Sequence, residues 1–497
     1  MTTMPSVTGG TVSTQTPSFP SRLAALLAGE LVSKGSVVAA FVYLARTLDP
    51  AVYGEVEWAL SLLMVATLAA DAGLSTWAAA RVAGAPDDVP SLVARVGGLR
   101  LTLAVPAYLV LAVVAWTYGG SAGPALLVYG LVLFLTPLFL QYLFNGLFQP
   151  RWAALGNALR GLTFAVAVLL LVRPGAGPMA VALAELLGAA ALALCSLVVL
   201  RKVIGLRARL RDAGRGLGVL LGQSWRTGAS DVTWGVHWYA GLILLGYLAT
   251  STEAAWHSSS LRLVMALHTL VWLYLYVLLP TFARLVRSDP AAWSHTTERS
   301  LRVSSWAGFG IALVGTLGAG PLLTTVFGPA YASAVPVLRA MVWVIPVAWI
   351  SGHLRYSLIA AQRPEKDYHA ALVGAGTTIA LAVALSPAFQ STGAGLALLG
   401  GTVANAVAAV VFARNVLPRV ALARNLAASG VCAAACLAGG VALAPAMGDL
   451  GAALAATTAL AACALVAERD EIAAAVRTTL LAVRPGLRPD PKAEDPI

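Results

Sequence analysis

The chain has 497 residues, of which 59% are hydrophobic and only 11% charged, with a mean hydropathy of +0.80 and a formal net charge of +11. A soluble protein carries about 25% charged residues, so the composition excludes a water-soluble fold and reads as an all-α polytopic membrane protein. The cations sit in short segments between apolar stretches, so membrane topology explains the basic balance and no nucleic-acid partner is needed.

Residues 1–20 are rich in Thr, Ser, Pro and Gly and carry no charge. They lack the basic start of a signal peptide, and residues 1–22 read as a disordered cytoplasmic tail. Apolar spans are expected at 23–43, 54–80, 93–116, 124–147, 154–172 and 178–200. A second block is expected at 219–248, 254–282, 301–320, 336–360, 368–385, 393–412, 426–447 and 451–467. That gives about fourteen spans, each near the ~20 residues that cross a bilayer. Residues 468–497 form a second cytoplasmic tail.

Between the blocks lies 201–218, RKVIGLRARLRDAGRGLG, with six cations (Arg201, Lys202, Arg207, Arg209, Arg211, Arg215) against Asp212. Such a segment resists translocation and marks the cytoplasmic side. It reads as a positive-inside connector or a short amphipathic helix on the inner leaflet, with a specific anionic-lipid site as the sharper alternative. With the N-terminus inside, the inward connectors also collect Arg81, Arg95, Arg151, Arg284, Arg287, Arg363, Lys366 and Arg414, against Arg46 and Arg173 outside. The connectors are all short, so none forms a separate catalytic domain.

Cys195, Cys432, Cys436 and Cys463 lie within apolar spans without a companion ligand set, so no metal site or cofactor is expected. Pro106, Pro137, Pro280 and Pro346 fall inside spans and predict kinks.

Ionisable residues deep in the spans carry the functional signal, because a charge in hydrocarbon must face protein or a watery cavity. Glu30 and Lys34 lie one turn apart in the first span, and Asp71 lies in the second. Arg226, Asp231 and His237 fall in the seventh, and Arg262 and His268 in the eighth. These eight residues are the candidate substrate cavity, with no catalytic residue among them. They concentrate in the opening helix pairs of the two blocks, which suggests a duplication. An offset of 201 residues sets Glu30 on Asp231, but otherwise finds identities hardly above chance. Trp225, Trp234, Trp238 and Tyr239 add an aromatic stretch suited either to sugar contact or to helix packing.

Four stretches resemble a known family. LARTLDPAVYG (44–54) and DAGLSTWAAARVAG (71–84) look like the first outward turn and the second-helix exit of Wzx-type polysaccharide flippases. VFGPAYASAVPVLR (326–339) and SPAFQSTGAGLAL (386–398) resemble the family's later outward turns. The resemblance implies the multidrug/oligosaccharidyl-lipid/polysaccharide (MOP) exporter superfamily, with two six-helix lobes around a V-shaped cavity and an added C-terminal helix pair. The lobes would be 23–200 and 219–420, and the pair 421–467. The implied activity is flipping a polyprenyl-diphosphate-linked glycan across the bacterial inner membrane by alternating access, with both termini cytoplasmic. H+ or Na+ would be the coupling ion, and polysaccharide polymerase or ligase machinery would be a partner. The alternatives are a lipid II flippase, a drug/cation antiporter and, from another class, a polyprenyl-phosphate-using glycosyltransferase with Asp49, Glu55 and Glu57 near its catalytic turn.

Overall fold

The computed structural model describes residues 34–84, 88–418 and 420–469. Among them every regular element is helical. The expected site residue Glu30, and both tails apart from 468–469, lie outside the described residues.

Residues 34–47 form α1, followed by α2 (Pro50–Asp71) and α3 (Leu74–Gly84). Next come α4 (Val89–Tyr118), α5 (Ala122–Gly130), a 3-10 stretch over Leu131–Leu138, and α6 (Gln141–Gly146). Then follow α7 (Pro150–Leu171), α8 (Pro178–Val198), α9 (Leu217–Leu248) and α10 (Ser251–Ser288). The last elements are α11 (Pro290–Leu317), α12 (Ala319–Val326), α13 (Val335–Met341), α14 (Val344–Ala360), α15 (Pro364–Ala413) and α16 (Leu422–Ala467).

The first turn is tighter than the expected spans 23–43 and 54–80 imply. Asp49 accepts a hydrogen bond from the Ala51 N–H at 2.8 Å and Pro50 opens α2, so only residues 48–49 separate α1 from α2. A capping Asp followed by Pro at the first helical position is a strong start signal. It places Glu57 two turns inside the helix rather than at an outward turn.

Helix boundaries repeat along the chain. α2 starts at Pro50 and α10 at Ser251, while α4 starts at Val89 and α11 at Pro290, each pair 201 residues apart. α1 ends at residue 47 and α9 at Leu248, which is the same offset. Further on, Phe148 (φ 56) and Gln362 (φ 61) are non-glycine residues in the left-handed region, two residues before α7 and α15 respectively. Gln149 N–H bonds the Phe144 carbonyl at 2.8 Å, and Arg363 N–H bonds the Leu358 carbonyl at 2.9 Å, closing the same turn twice. The duplication that is faint in residue identities is plain in helix ends and caps.

Nine described helices are long and apolar enough to cross a membrane, or ten if α11 and α12, bent by 72°, make one span. Three features separate this from the expected fourteen. α9 is not among the nine, its middle being diluted by Arg226, Asp231 and His237. α15 and α16 each contain a non-helical residue, Gln390 (φ 49, ψ −128) and Gly448 (φ 72, ψ 165). The first span starts outside the described residues. Of the expected proline kinks, Pro137 lies in the 3-10 stretch that breaks the fourth span, and Pro346 opens α14 beside a break at 342–343. Pro106 and Pro280 are carried within continuous helices.

The exterior is apolar, with Leu170 66% and Leu454 62% exposed among many aliphatic side chains. Water would not tolerate so wide an apolar surface, whereas lipid does. The interior core joins both halves, packing Phe41, Tyr53 and Phe164 with Trp293, Tyr331 and Met341. The connector forms no α-helix before α9, only a π-type turn at Val199–Val203 and a 3-10 turn at Leu210–Asp212. It is tied to α4 by Arg209 N–H to the Pro90 carbonyl (3.0 Å) and by Arg95 Nε to the Arg215 carbonyl (3.1 Å).

Candidate functional site

Two cavities lie along the helices that open the repeats. The larger encloses about 470 Å³ and is lined by α1, α9, α10, α14 and α15. Four of the expected site residues line it: Lys34, Asp231, His237 and His268. Arg355 and Asp367 face it as well and pair at 3.5 Å, so their charges largely cancel within the wall. Its aromatic lining comprises Trp234, Trp238, Trp272, Tyr356 and Tyr368. Trp238 is buried and stacks edge-on against His268, with ring centroids 4.7 Å apart. Trp234 is half-buried and presents the more accessible ring.

α9 delivers these groups because residues three and four apart share a helix face. Asp231, Trp234 and Trp238 fall on one stripe. His237 reaches the two segments of α15, its Nδ1 lying 2.9 Å from Thr378 Oγ1 and its Nε2 3.2 Å from Thr402 Oγ1.

The smaller cavity, about 270 Å³, holds Arg262. The Arg262 guanidinium meets Glu57 at 2.6 Å and lies over the Phe41 ring, 3.2 Å from its centroid. A second pair in the same cavity, Arg160 with Glu185, stands at 2.5 Å. Ser61 and Ser258 add hydroxyls to the polar wall. Shifted by 201 residues, Glu57 falls on Ser258 and Ser61 falls on Arg262, so the four polar groups are two repeat-related pairs. This quartet is symmetric in position but asymmetric in charge.

The remaining candidates lie elsewhere. Asp71 lines neither cavity and is held by Arg100 at 2.5 Å and by the Ser75 hydroxyl at 3.0 Å. Arg226 also lines neither; it is exposed, with its guanidinium 5.9 Å from the centre of the Trp225 ring. Glu57, Arg160, Glu185, Arg355 and Asp367 line the two cavities without being among the eight residues expected from the sequence. Helix-start signals could have recovered two of them, since Asp49–Pro50 moves Glu57 inward and Arg363–Pro364 brings Asp367 into α15.

At the end of the bundle bearing Asp49, the two halves close on each other. Arg46 donates to the carbonyls of Val326 (3.0 Å) and Thr325, Tyr53 meets Tyr331 edge-on, and Trp58 Nε1 bonds the Ile243 carbonyl at 3.2 Å. Nearer the connector, Gly73 and Gly228 let α3 and α9 approach backbone to backbone.

The model of the family described as polysaccharide biosynthesis protein matches residues 23–286. No curated protein sequence matches the chain. Among solved structures, the chain resembles the lipid II flippase MurJ in an inward closed conformation, with a TM-score of 0.71 at 11% identity over 90% of this chain and 100% of that one. It also resembles an inward-facing multidrug resistance MATE family transporter of the MOP superfamily, with a TM-score of 0.63 at 13% identity over 79% and 97% of the two chains. A MOP superfamily transporter from Pyrococcus furiosus aligns with a TM-score of 0.51 at 14% identity over 78% and 91%. At these identities the likeness concerns the fold. With over half the chain matched by the family model, this multi-pass membrane protein, whose fold resembles those of MurJ and the MATE transporter, belongs to the polysaccharide biosynthesis protein family.

Proposed function

We propose that the protein moves a polyprenyl-diphosphate-linked oligosaccharide from the inner to the outer leaflet of the bacterial inner membrane by alternating access, without enzymatic chemistry. The observation that carries this reading is the Arg262–Glu57 pair, a cation held inside a cavity between the leading helices of the two repeats. A diphosphate entering hydrocarbon loses hydration that only fixed cations and donors can replace. Arg262, with Arg160 beside it, supplies the charge; Glu57 and Glu185 keep the guanidinium groups compensated when no substrate is present. The adjoining larger cavity offers aromatic faces and paired charges suited to sugar rings and hydroxyls. The polyprenyl tail stays in lipid.

In this arrangement 23–200 and 219–420 act as the rocking lobes, and 421–467 as the added helix pair. Counting the first span, α9 and the α11–α12 pair with the nine, and the two segments of α15 and of α16 separately, gives fourteen, an even number that puts both tails on one side, the cytoplasm by the positive-inside bias. The MurJ-like fold keeps lipid II within the class of substrates, and complementation of a strain depleted of its lipid II flippase tests for it.

The decisive experiment is deletion followed by leaflet-resolved analysis of lipid-linked glycans. Finished lipid-linked oligosaccharide should accumulate on the cytoplasmic leaflet, and an Arg262→Ala copy should fail to restore export. Truncated glycans would point to a glycosyltransferase instead, and unaltered glycans with changed drug sensitivity to an antiporter.

A further inference from the structure

The hydrogen bonds around His237, which is half-buried, differ from those around the buried His353. Thr378 donates its hydroxyl proton to the Gly374 carbonyl at 3.0 Å, and Thr402 donates to the Leu398 carbonyl at 2.8 Å. Each hydroxyl has one proton to give. With both spent on the helix backbone, the two Thr oxygens face His237 as acceptors, one at each ring nitrogen. Both nitrogens are donors only in the imidazolium. A neutral ring keeps both contacts only if one threonine turns its hydroxyl from its carbonyl onto the bare nitrogen.

His353 makes the contrast. Its Nδ1 lies 2.6 Å from the Trp349 carbonyl, which can only accept, and its Nε2 lies 2.7 Å from the Ser300 hydroxyl, which can donate. The neutral ring is fully satisfied there.

We propose that His237 is a proton-binding site whose occupancy sets how α9 is tied to the two segments of α15. Protonated, the ring clamps Thr378 and Thr402 on either side of the Gln390 break. Deprotonated, one strand of the clamp depends on a hydroxyl leaving its carbonyl. A buried charge is costly, and the neighbouring groups decide the balance. Facing the same cavity are Lys34 of α1, Asp231 of α9, His268 of α10, Arg355 of α14 and Asp367 of α15. Arg355 and Asp367 offset each other within the wall. That this proton couples to transport rests on the proposed flippase reading; the proton site itself does not.

The test is imidazole-selective 15N labelling of the full-length protein in lipid nanodiscs, titrated from about pH 8 to about pH 5. The chain has six histidines, and the signal lost in His237→Gln identifies this one. If that variant does not fold, removing the other five in turn gives the assignment by elimination. The expected result is a ring that passes to the doubly protonated form within this range. In Thr402→Val one acceptor is gone, and the midpoint should fall by about one pH unit. A ring that stays one neutral tautomer throughout, or a midpoint unmoved by Thr402→Val, overturns the proposal. Because no glycan is used, a failed export assay and a failed titration are separate results.

Discussion

Glu57 of α2 and Arg262 of α10 meet at 2.6 Å, and their repeat-related positions, Ser258 and Ser61, line the same cavity. One half of the duplicated fold thus supplies the anion and the other the cation at a site whose backbone is two-fold repeated. Removing one member of a buried pair leaves an uncompensated charge. Arg262 is 30% exposed to the cavity, which softens the penalty, so Glu57→Ala should cost about 2 kcal/mol. The Glu57→Ala/Arg262→Ala double variant should recover part of that loss in detergent-solubilised thermal unfolding, while export stays abolished. A double variant less stable than either single one would show that the pair is not coupled.

Arg100 is a structural cation of a different kind. Its side chain is 3% exposed and donates to Asp71, to Ser75 Oγ at 2.8 Å, and to the carbonyls of Thr136 (3.2 Å) and Phe139 (3.0 Å). Those two carbonyls lie where the 3-10 stretch around Pro137 gives way to extended backbone at Phe139, so Arg100 satisfies the Phe139 carbonyl and gives a second donor to that of Thr136, which also accepts from the Phe139 N–H. Arg100→Ala should cost about 3–5 kcal/mol and sharply reduce folded protein in the membrane. Asp71→Asn, which keeps a hydrogen-bond acceptor, should be milder and leave export measurable. Full loss of export with normal folding in Asp71→Asn would move Asp71 from structure to transport.

Two glycines hold the halves together at opposite ends. A Cβ at Gly54 would overlap the Ser251 carbonyl, and one at Gly228 would overlap the backbone of Ala72. Neither neighbour is a flexible side-chain tip, so the helices must separate. Gly54→Ala should loosen the end near Asp49 and Gly228→Ala the crossing nearer the connector, each at about 1–3 kcal/mol. Maleimide labelling of Ser61→Cys in the smaller cavity, on a background lacking the four native cysteines, reads the result. Labelling should rise in Gly54→Ala. An unchanged rate there would mean that this end does not gate the cavity.

Glu253 caps a helix in trans. Buried in α10, it accepts from the Ser391 N–H at 3.1 Å and from the Ser391 hydroxyl, just after the non-helical Gln390. The segment of α15 that starts there has no intrahelical partner for its first N–H groups. Glu253→Gln should keep an acceptor and lose about 1 kcal/mol, whereas Glu253→Leu should lose about 2–3 kcal/mol by leaving that N–H buried and unpaired. Thermal unfolding of the two variants should rank them in that order. Equal losses would place the role of Glu253 in its charge rather than in capping.

The sequence by itself determined the solvent, the helical class and the family. Bilayer spans require long apolar runs, positive-inside bias requires cationic connectors, and both are local properties of the chain. It also marked the regions where polar groups matter, because a charge such as Asp231 or Arg262 inside an apolar run stands out without any knowledge of its neighbours. Tertiary structure decided which of those charges share a wall. Asp71 and Arg226 read like Lys34 and Asp231 in sequence, yet packing gives Asp71 to Arg100 and leaves Arg226 outside both cavities. Glu57 and Arg262 are paired across 205 residues, a relation that no spacing rule encodes, because it arises only when two helices from separate repeats lie side by side. The duplication followed the same division. Side chains facing lipid are interchangeable aliphatics and retain little identity, whereas helix ends, caps and left-handed turns such as Phe148 and Gln362 are fixed by backbone geometry and keep the repeat visible.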